Sequence, residues 1–314
     1  MTDRKRLAIN SAGKINLYLN VSKALRPDGY HEIKSIMQSI SLSDELIFEV
    51  APDYSIRHSS LKNDRGLNGN GISITCNNVD IPLNEKNLVH KAALLILKKF
   101  NLEKKYNINI NIKKSIPVGA GLAGGSSNAA ATLAALNRIF KIKLSEDELK
   151  SLGNEVGSDV PFCISGGTAL VEGKGEIISK LSDMPFYWIV LAINGKKFSS
   201  GDVYDRFDLI GKEKGSIHKN LVSRLSQKKY HEFFSDLDND LEGVVTYEDE
   251  MVNILKKKAV QLGSFASQMT GSGPAIFAFC EDLISAKKVF AGLGEISNKV
   301  FLTYTTPFSL NFLN

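Results

Sequence analysis

Apolar residues alternate with polar ones at Ile15, Leu17, Leu19 and Val21, the period of a half-buried strand, so Lys14, Asn16, Tyr18 and Asn20 are expected to share the opposite face. Similar alternation predicts strands at 32–40, 45–50, 72–76 and 108–112. Leu88, Ala92, Leu95 and Ile96 recur at helical spacing, which makes 87–100 a helix. Ser145-Glu146-Asp147-Glu148 is a capping box opening another helix, closed near Gly153. Beyond about residue 180 the order changes: a strand at 188–193, helical stretches within 203–229, a helix at 247–262 stopped by Gly263, two short strands around Thr270-Gly271-Ser272-Gly273, a helix at 285–291 and a last strand at 299–304. Strand, helix, two strands, helix, strand is the split βαβ order of a ferredoxin-like sandwich. Two domains are therefore expected, 1–180 and 181–314, in an α+β fold. Residues 53–71, rich in Ser, Asn and Gly, read as a surface excursion.

Composition narrows the class. The 314 residues are 43% hydrophobic and 23% charged, ordinary for a soluble chain. The N-terminus is charged with no apolar run behind it, and the longest clean apolar run, 186–193, is too short to span a bilayer; a cytoplasmic protein with no membrane partner is expected. Net charge is +5, but the lysines fall in scattered pairs such as Lys98-Lys99, Lys113-Lys114 and Lys228-Lys229, the pattern of a solvated face and not of a nucleic-acid surface. Cys76, Cys163 and Cys280 are odd in number, far apart and set in apolar strings, so buried thiols are expected and not a metal site or a disulfide framework. Asp44 and Glu45 read as turn or strand-end residues without a role.

The most informative stretch is Pro117-Val118-Gly119-Ala120-Gly121-Leu122-Ala123-Gly124-Gly125-Ser126-Ser127-Asn128, which runs from an isoleucine-rich strand into an alanine-rich helix. Glycines let backbone approach a bulky anion, and the first turn of a helix offers unpaired amides at the positive end of its dipole. Ser126 and Ser127 can add hydroxyls toward phosphate or Mg²⁺. A flexible linker need not join strand to helix so directly. The lysine-serine ending of a Walker loop is absent, and the glycine spacing is not that of a dinucleotide fingerprint.

This loop resembles that of the GHMP kinase family, whose members cradle ATP phosphates on a Pro-x-Gly-x-Gly-Leu-rich loop leading into a helix. Ala12-Gly13-Lys14-Ile15-Asn16-Leu17, followed by Arg26-Pro27-Asp28-Gly29-Tyr30-His31-Glu32, is similar to the family's first motif, and Thr270-Gly271-Ser272-Gly273-Pro274-Ala275 to its third. With Gly157-Ser158-Asp159-Val160-Pro161-Phe162 the blocks stand in family order over nearly the whole chain. Gly13 replaces a proline common in the family, and 194–201 lacks the proline usual before its serine pair. The resemblance implies a nucleotide-binding N-terminal α/β domain and a ferredoxin-like C-terminal domain. The Gly-Gly-Ser-Ser-Asn form of the loop resembles the branch that phosphorylates a cytidyl-diphosphate-linked methylerythritol.

On that resemblance the cofactors are ATP and Mg²⁺, Asp159 is the base that takes the hydroxyl proton, Lys14 is its cationic neighbour, and Asn16 orients the pair. Read alone, Asp159 would be a turn or cap residue before Val160-Pro161 and Lys14 an edge-strand lysine. Asn87, Leu88 and Lys114 match positions contacting adenosine, where an isolated reading makes Asn87 an N-cap and Lys114 a solvated lysine. Tyr30 and His31 are expected to read cytosine, with Phe198 or Tyr204 closing the other face and Gly271 and Ser272 beside the substrate. Two alternatives stay open: a family member acting on homoserine or a mevalonate derivative, in which Asp28-Gly29-Tyr30-His31 should be lacking, and a nucleotide-binding sensor without catalysis.

Overall fold

The computed structural model describes residues 4–52, 71–196 and 198–313, so all but the last residue of the predicted excursion at 53–71 lies outside the described residues. Among the described residues the larger of two sheets has eight strands. Its main path runs Leu310–Leu313, Lys5–Leu25, His31–Pro52, Tyr106–Lys113, Ile72–Cys76; Thr168–Gly173 and then Ile177–Lys180 branch from the second long strand, and the short Asp238–Asn239 lies beside the first. The smaller sheet is antiparallel, in the order Lys299–Tyr304, Trp188–Ile193, Ile276–Cys280, Ala266–Met269. Helices Met251–Leu262 and Leu283–Gly294 connect its strands, which completes the split βαβ order read from the pattern. Thr168–Gly173, Ile177–Lys180, Asp238–Asn239 and Leu310–Leu313 were not among the predicted strands; the last of them pairs with the first strand of the larger sheet.

Three apolar layers hold these parts together. Helices Leu88–Lys99, Gly124–Phe140 and Glu146–Val156 bury their stripes on the outer face of the larger sheet, where small Ala129, Ala130 and Ala131 allow close approach. Between the sheets lie Ile15, Leu17, Ile36 and Ile40 against Leu191, Phe277 and Phe279. Phe277 and Phe279 are fully buried, each contributing about 2–3 kcal/mol of transfer free energy. The far face of the smaller sheet packs on its two helices through Leu255, Ala259, Ala286 and Val289.

Two predicted elements need correction. The register shift between Asn16 and Tyr18, which pair with the adjacent Met37 and Ile36, turns the first strand over, because a bulge inserts a residue and reverses the faces beyond it. Tyr18 therefore packs with Ile15 and Leu17 between the sheets, while Leu19 and Val21 join the C-terminal core. The helix expected at 247–262 is two helices, Glu242–Glu248 and Met251–Leu262. Asp249 between them is extended and accepts hydrogen bonds from the Lys196 and Met251 amides, replacing the helical bonding of that turn. Gly263 does end the second helix, at φ +111°. Cys163 and Cys280 are buried, whereas Cys76, near the end of an outer strand, is only half-buried. Among the described residues no helix is long and apolar enough to cross a membrane.

Candidate active site

A cleft of about 690 Å³ opens where the first strand, the glycine loop and the Thr270–Pro274 turn meet. At its floor Lys14 is 5% exposed in its side chain and its ammonium lies 3.8 Å from the Asp159 carboxylate. The same ammonium donates to Asn16 Oδ1 at 2.6 Å and to the Gly121 carbonyl at 3.0 Å, so one lysine joins the first strand, the loop and Asp159. Asn16 Nδ2 donates to Ser35 Oγ at 2.8 Å, and Ser35 in turn donates to the Tyr18 carbonyl, which fixes the amide's orientation. Asp159 occupies the position before helix Val160–Ser165 but makes no cap hydrogen bond; with Pro161 in the first turn, its carboxylate is left to the cleft. One turn on, burial and then the Asp159 charge push the Cys163 thiol well above the usual range, so it stays protonated packing material.

Residues 117–126 all line the cleft. Helix Gly124–Phe140 starts there without a side-chain cap: Ala123 precedes it in the left-handed region, φ 54° and ψ 28°, and its methyl offers no acceptor. The first amides of this 17-residue helix therefore lack the partner a cap would supply. Gly121, at φ +77°, is required by packing as well as by conformation, since a Cβ there would run into the Thr270 carbonyl oxygen. A Cβ at Gly124 would stand 2.8 Å from Lys114 Nζ, whereas at Gly125 it would meet only Leu88, at 3.7 Å, on the open side. Of the two serines only Ser126 lines the cleft; Ser127 is buried and donates to the Ala12 carbonyl at 2.7 Å.

At the other end lie Tyr30, half its surface exposed, and His31. His31 stacks on Tyr204 with ring centres 5.3 Å apart, its Nδ1 is 2.8 Å from the Ser22 carbonyl, and its Nε2 is 3.6 Å from Asp208. Burial and then Asp159 hold the Tyr204 phenol above its usual range, which keeps it a neutral aromatic surface. Lys174, which sequence reasoning passed over, lines the cleft with its ammonium 4.7 Å from the Tyr30 ring centre and 3.6 Å from Asp28. Gly271 and Ser272 also line it; Ser272 is 3.0 Å from Ser200, and buried Asn239 holds the turn by donating to the Met269 and Gly271 carbonyls.

Several expected residues do not line the cleft. Phe198 packs against the C-terminal core under the Arg206 guanidinium, and Tyr204, one turn into helix Ser200–Ile210, takes the place by the cleft. Asn87 caps its helix, accepting from the Val89 amide at 2.9 Å, and Leu88 packs on the outer core. Asn128 is buried and donates to Ser11 and Asp44. Lys114 does line the cleft, yet it is not a solvated lysine: it is paired with Asp44, with side-chain exposures of 4% and 0%. A single aspartate between apolar runs carries no sequence signal that distinguishes it from a turn residue.

Residues 87–167 match the GHMP kinases N terminal domain and residues 221–297 the GHMP kinases C terminal. Over 297 residues the chain is 37% identical to 4-diphosphocytidyl-2-C-methyl-D-erythritol kinase of Clostridium acetobutylicum, covering 95% of this chain and 99% of that protein. The chain belongs to the GHMP kinase family. This GHMP kinase is also 36% identical over 297 residues to the Bacillus subtilis protein of the same name, with 94% and 96% of the two chains covered. Among solved structures, a 4-(cytidine 5'-diphospho)-2C-methyl-D-erythritol kinase superposes with a TM-score of 0.72 at 25% identity, over 96% of this chain and 98% of that one. A homoserine kinase from Cytophaga hutchinsonii superposes with a TM-score of 0.73 at 17% identity, covering 98% and 97%. The backbone shape is thus shared with kinases named for different substrates, and sequence similarity along nearly the whole chain is what separates the matches.

Proposed function

We propose that this GHMP kinase transfers the γ-phosphoryl group of ATP to the 2-hydroxyl of 4-diphosphocytidyl-2-C-methyl-D-erythritol, a step in non-mevalonate isoprenoid precursor synthesis. The observation that carries the chemistry is the meeting, in one cleft, of an uncapped helix N-terminus with a Lys14–Asp159 pair 3.8 Å apart. The choice of acceptor rests on the similarity of about 37% along the full chain to kinases of that name.

In this reading the ATP phosphates lie on residues 117–126, bound by loop amides and the positive end of helix Gly124–Phe140. Asp159 accepts the proton of the substrate hydroxyl as its oxygen bonds to the γ-phosphorus, while the bond from that phosphorus to the bridging oxygen breaks and ADP leaves with the electron pair. Lys14, held by Asn16 and Gly121, stands where charge develops on the attacking oxygen. The Ser126 hydroxyl and the Asp159 carboxylate are hard oxygen donors at the cleft that would hold Mg²⁺, which would supply charge neutralisation for the phosphates. Tyr30 and His31 take the cytosine end, with Tyr204 behind His31. The proposed division is a nucleotide domain, 1–180, and a substrate-side domain, 181–314.

A coupled ADP-release assay with the cytidyl substrate beside homoserine and mevalonate tests this reading. Turnover confined to the cytidyl compound is expected. Equal or better turnover of either competitor would reassign the substrate, and no ATP consumption with any of the three would favour a sensor.

A further inference from the structure

The Asp44 carboxylate has no contact with solvent, and each of its oxygens is engaged twice. Oδ1 accepts from the Ser115 amide at 2.7 Å and the Ile116 amide at 2.9 Å, the two residues that lead into the glycine loop. Oδ2 accepts from Asn128 Nδ2 at 2.9 Å, in the second turn of the helix that leaves the loop, and from the Lys114 ammonium. Lys114 also donates to Asn128 Oδ1 at 3.3 Å and stands 2.8 Å from the place a Gly124 Cβ would occupy. One carboxylate therefore ties both ends of the loop together and holds an ammonium under its last glycines.

A buried ion pair is weak evidence for stability, because well-packed apolar residues of similar volume often serve as well or better. Its use here follows from position. Loop residues 117–123 have few internal constraints, since the glycines at 119 and 121 take positive φ and the helix has no side-chain cap. The separation between strand end and helix start decides whether the loop amides converge on a phosphate, and binding energy is lost steeply when such donors are misplaced.

We propose that Asp44 is a positioning residue for nucleotide: acting through Lys114, Asn128 and the 115–116 amides, it sets the aperture of the phosphate loop. This rests on the reading of that loop as the ATP site. Asp44 does not line the cleft and touches no reacting atom, so its loss should act on nucleotide affinity and spare the chemical step.

The test compares Asp44→Asn, Asn128→Leu and a remote control, Phe279→Leu in the core between the sheets, by thermal unfolding, ADP titration calorimetry and steady-state kinetics. Asp44→Asn is expected to raise the ADP Kd and the ATP KM about 10-fold or more, with kcat at saturating ATP within about 3-fold and the KM of the alcohol unchanged. Asn128→Leu, which leaves the ion pair but cuts the tie to the helix, should move the same two constants in the same direction, and it carries the test if Asp44→Asn does not fold. Phe279→Leu should lower the unfolding temperature without moving the ADP Kd. An unchanged ADP Kd in a folded Asp44→Asn, or equal shifts in that variant and the control, would reduce the carboxylate to a structural role and overturn the proposal. Failure of the wild type to bind ADP would instead remove the ATP reading on which the proposal rests.

Discussion

Three helices of the N-terminal half begin in different ways, and the contrast separates structure from site. The helix Glu146–Val156 opens on Ser145, whose hydroxyl accepts from the Glu148 amide while Glu148 accepts from the Ser145 amide at 2.8 Å; both orphan donors are satisfied within the chain. Helix Gly124–Phe140 opens on Ala123, which has no side chain able to cap. Helix Val160–Ser165 opens on an aspartate, a residue well suited to capping, that makes no cap bond. The self-contained start lies on the surface, and the two deficient starts line one cleft. A helix end that forgoes a cap worth about 1 kcal/mol is explained when a ligand, or a reaction, uses what the cap would have covered.

The largest expected effect comes from Asp159→Asn. Asparagine caps helices as well as aspartate, so if Asp159 were only a cap the variant would keep its activity. We expect kcat to fall by about 10² or more with ATP binding within a few-fold of wild type, and near-normal kcat in a steady-state assay would return Asp159 to the class of Ser145. Next is Gly125→Val, which adds a side chain on the open side of the uncapped start. ADP affinity should drop on the order of 10-fold or more while circular dichroism reports a folded chain; tight binding by the folded variant would mean that the phosphates lie elsewhere.

Tyr30→Ala sharpens the contrast from the opposite end of the cleft. The KM of the cytidyl substrate should rise about 10-fold with the KM of ATP little changed, the scale of losing one stacked base. Parallel rises in both constants would detach Tyr30 from cytosine. The smallest effect belongs to the capped helix: Ser145→Ala should cost about 1 kcal/mol in denaturant unfolding and leave every kinetic constant alone. The Glu148 carboxyl is held below its ordinary range by hydrogen bonds from the Ser145 amide and hydroxyl. Its contribution is therefore present above the ordinary carboxylate range and is lost as pH falls through the lowered value; the variant lacks only the hydroxyl's share of it, so the gap between wild type and variant should narrow in acid. A gap that widened in acid would contradict the capping box.

Much of the fold is written locally in the sequence. Local rules sufficed for the capping box at Ser145, the stop at Gly263 and the split βαβ order, because neighbours along the chain decide caps, left-handed ends and strand alternation. The loop proposed here as the phosphate cradle could be picked out for the same reason: strand, glycines and helix start are contiguous. What the chain alone could not supply was anything decided by pairing across long separations. The bulge that turns Tyr18 inward comes from register with the second strand, and the last strand pairs Leu310 with Ser11 and Leu313 with Ala8, at the far end of the sequence. Tyr204 lines the cleft in place of Phe198 through helical phase and packing on the C-terminal core. Asp44 looks like any strand-end aspartate until the fold brings it to Ser115, Ile116 and Asn128, 71 to 84 residues away, since hydrogen bonds and burial depend on distance in space.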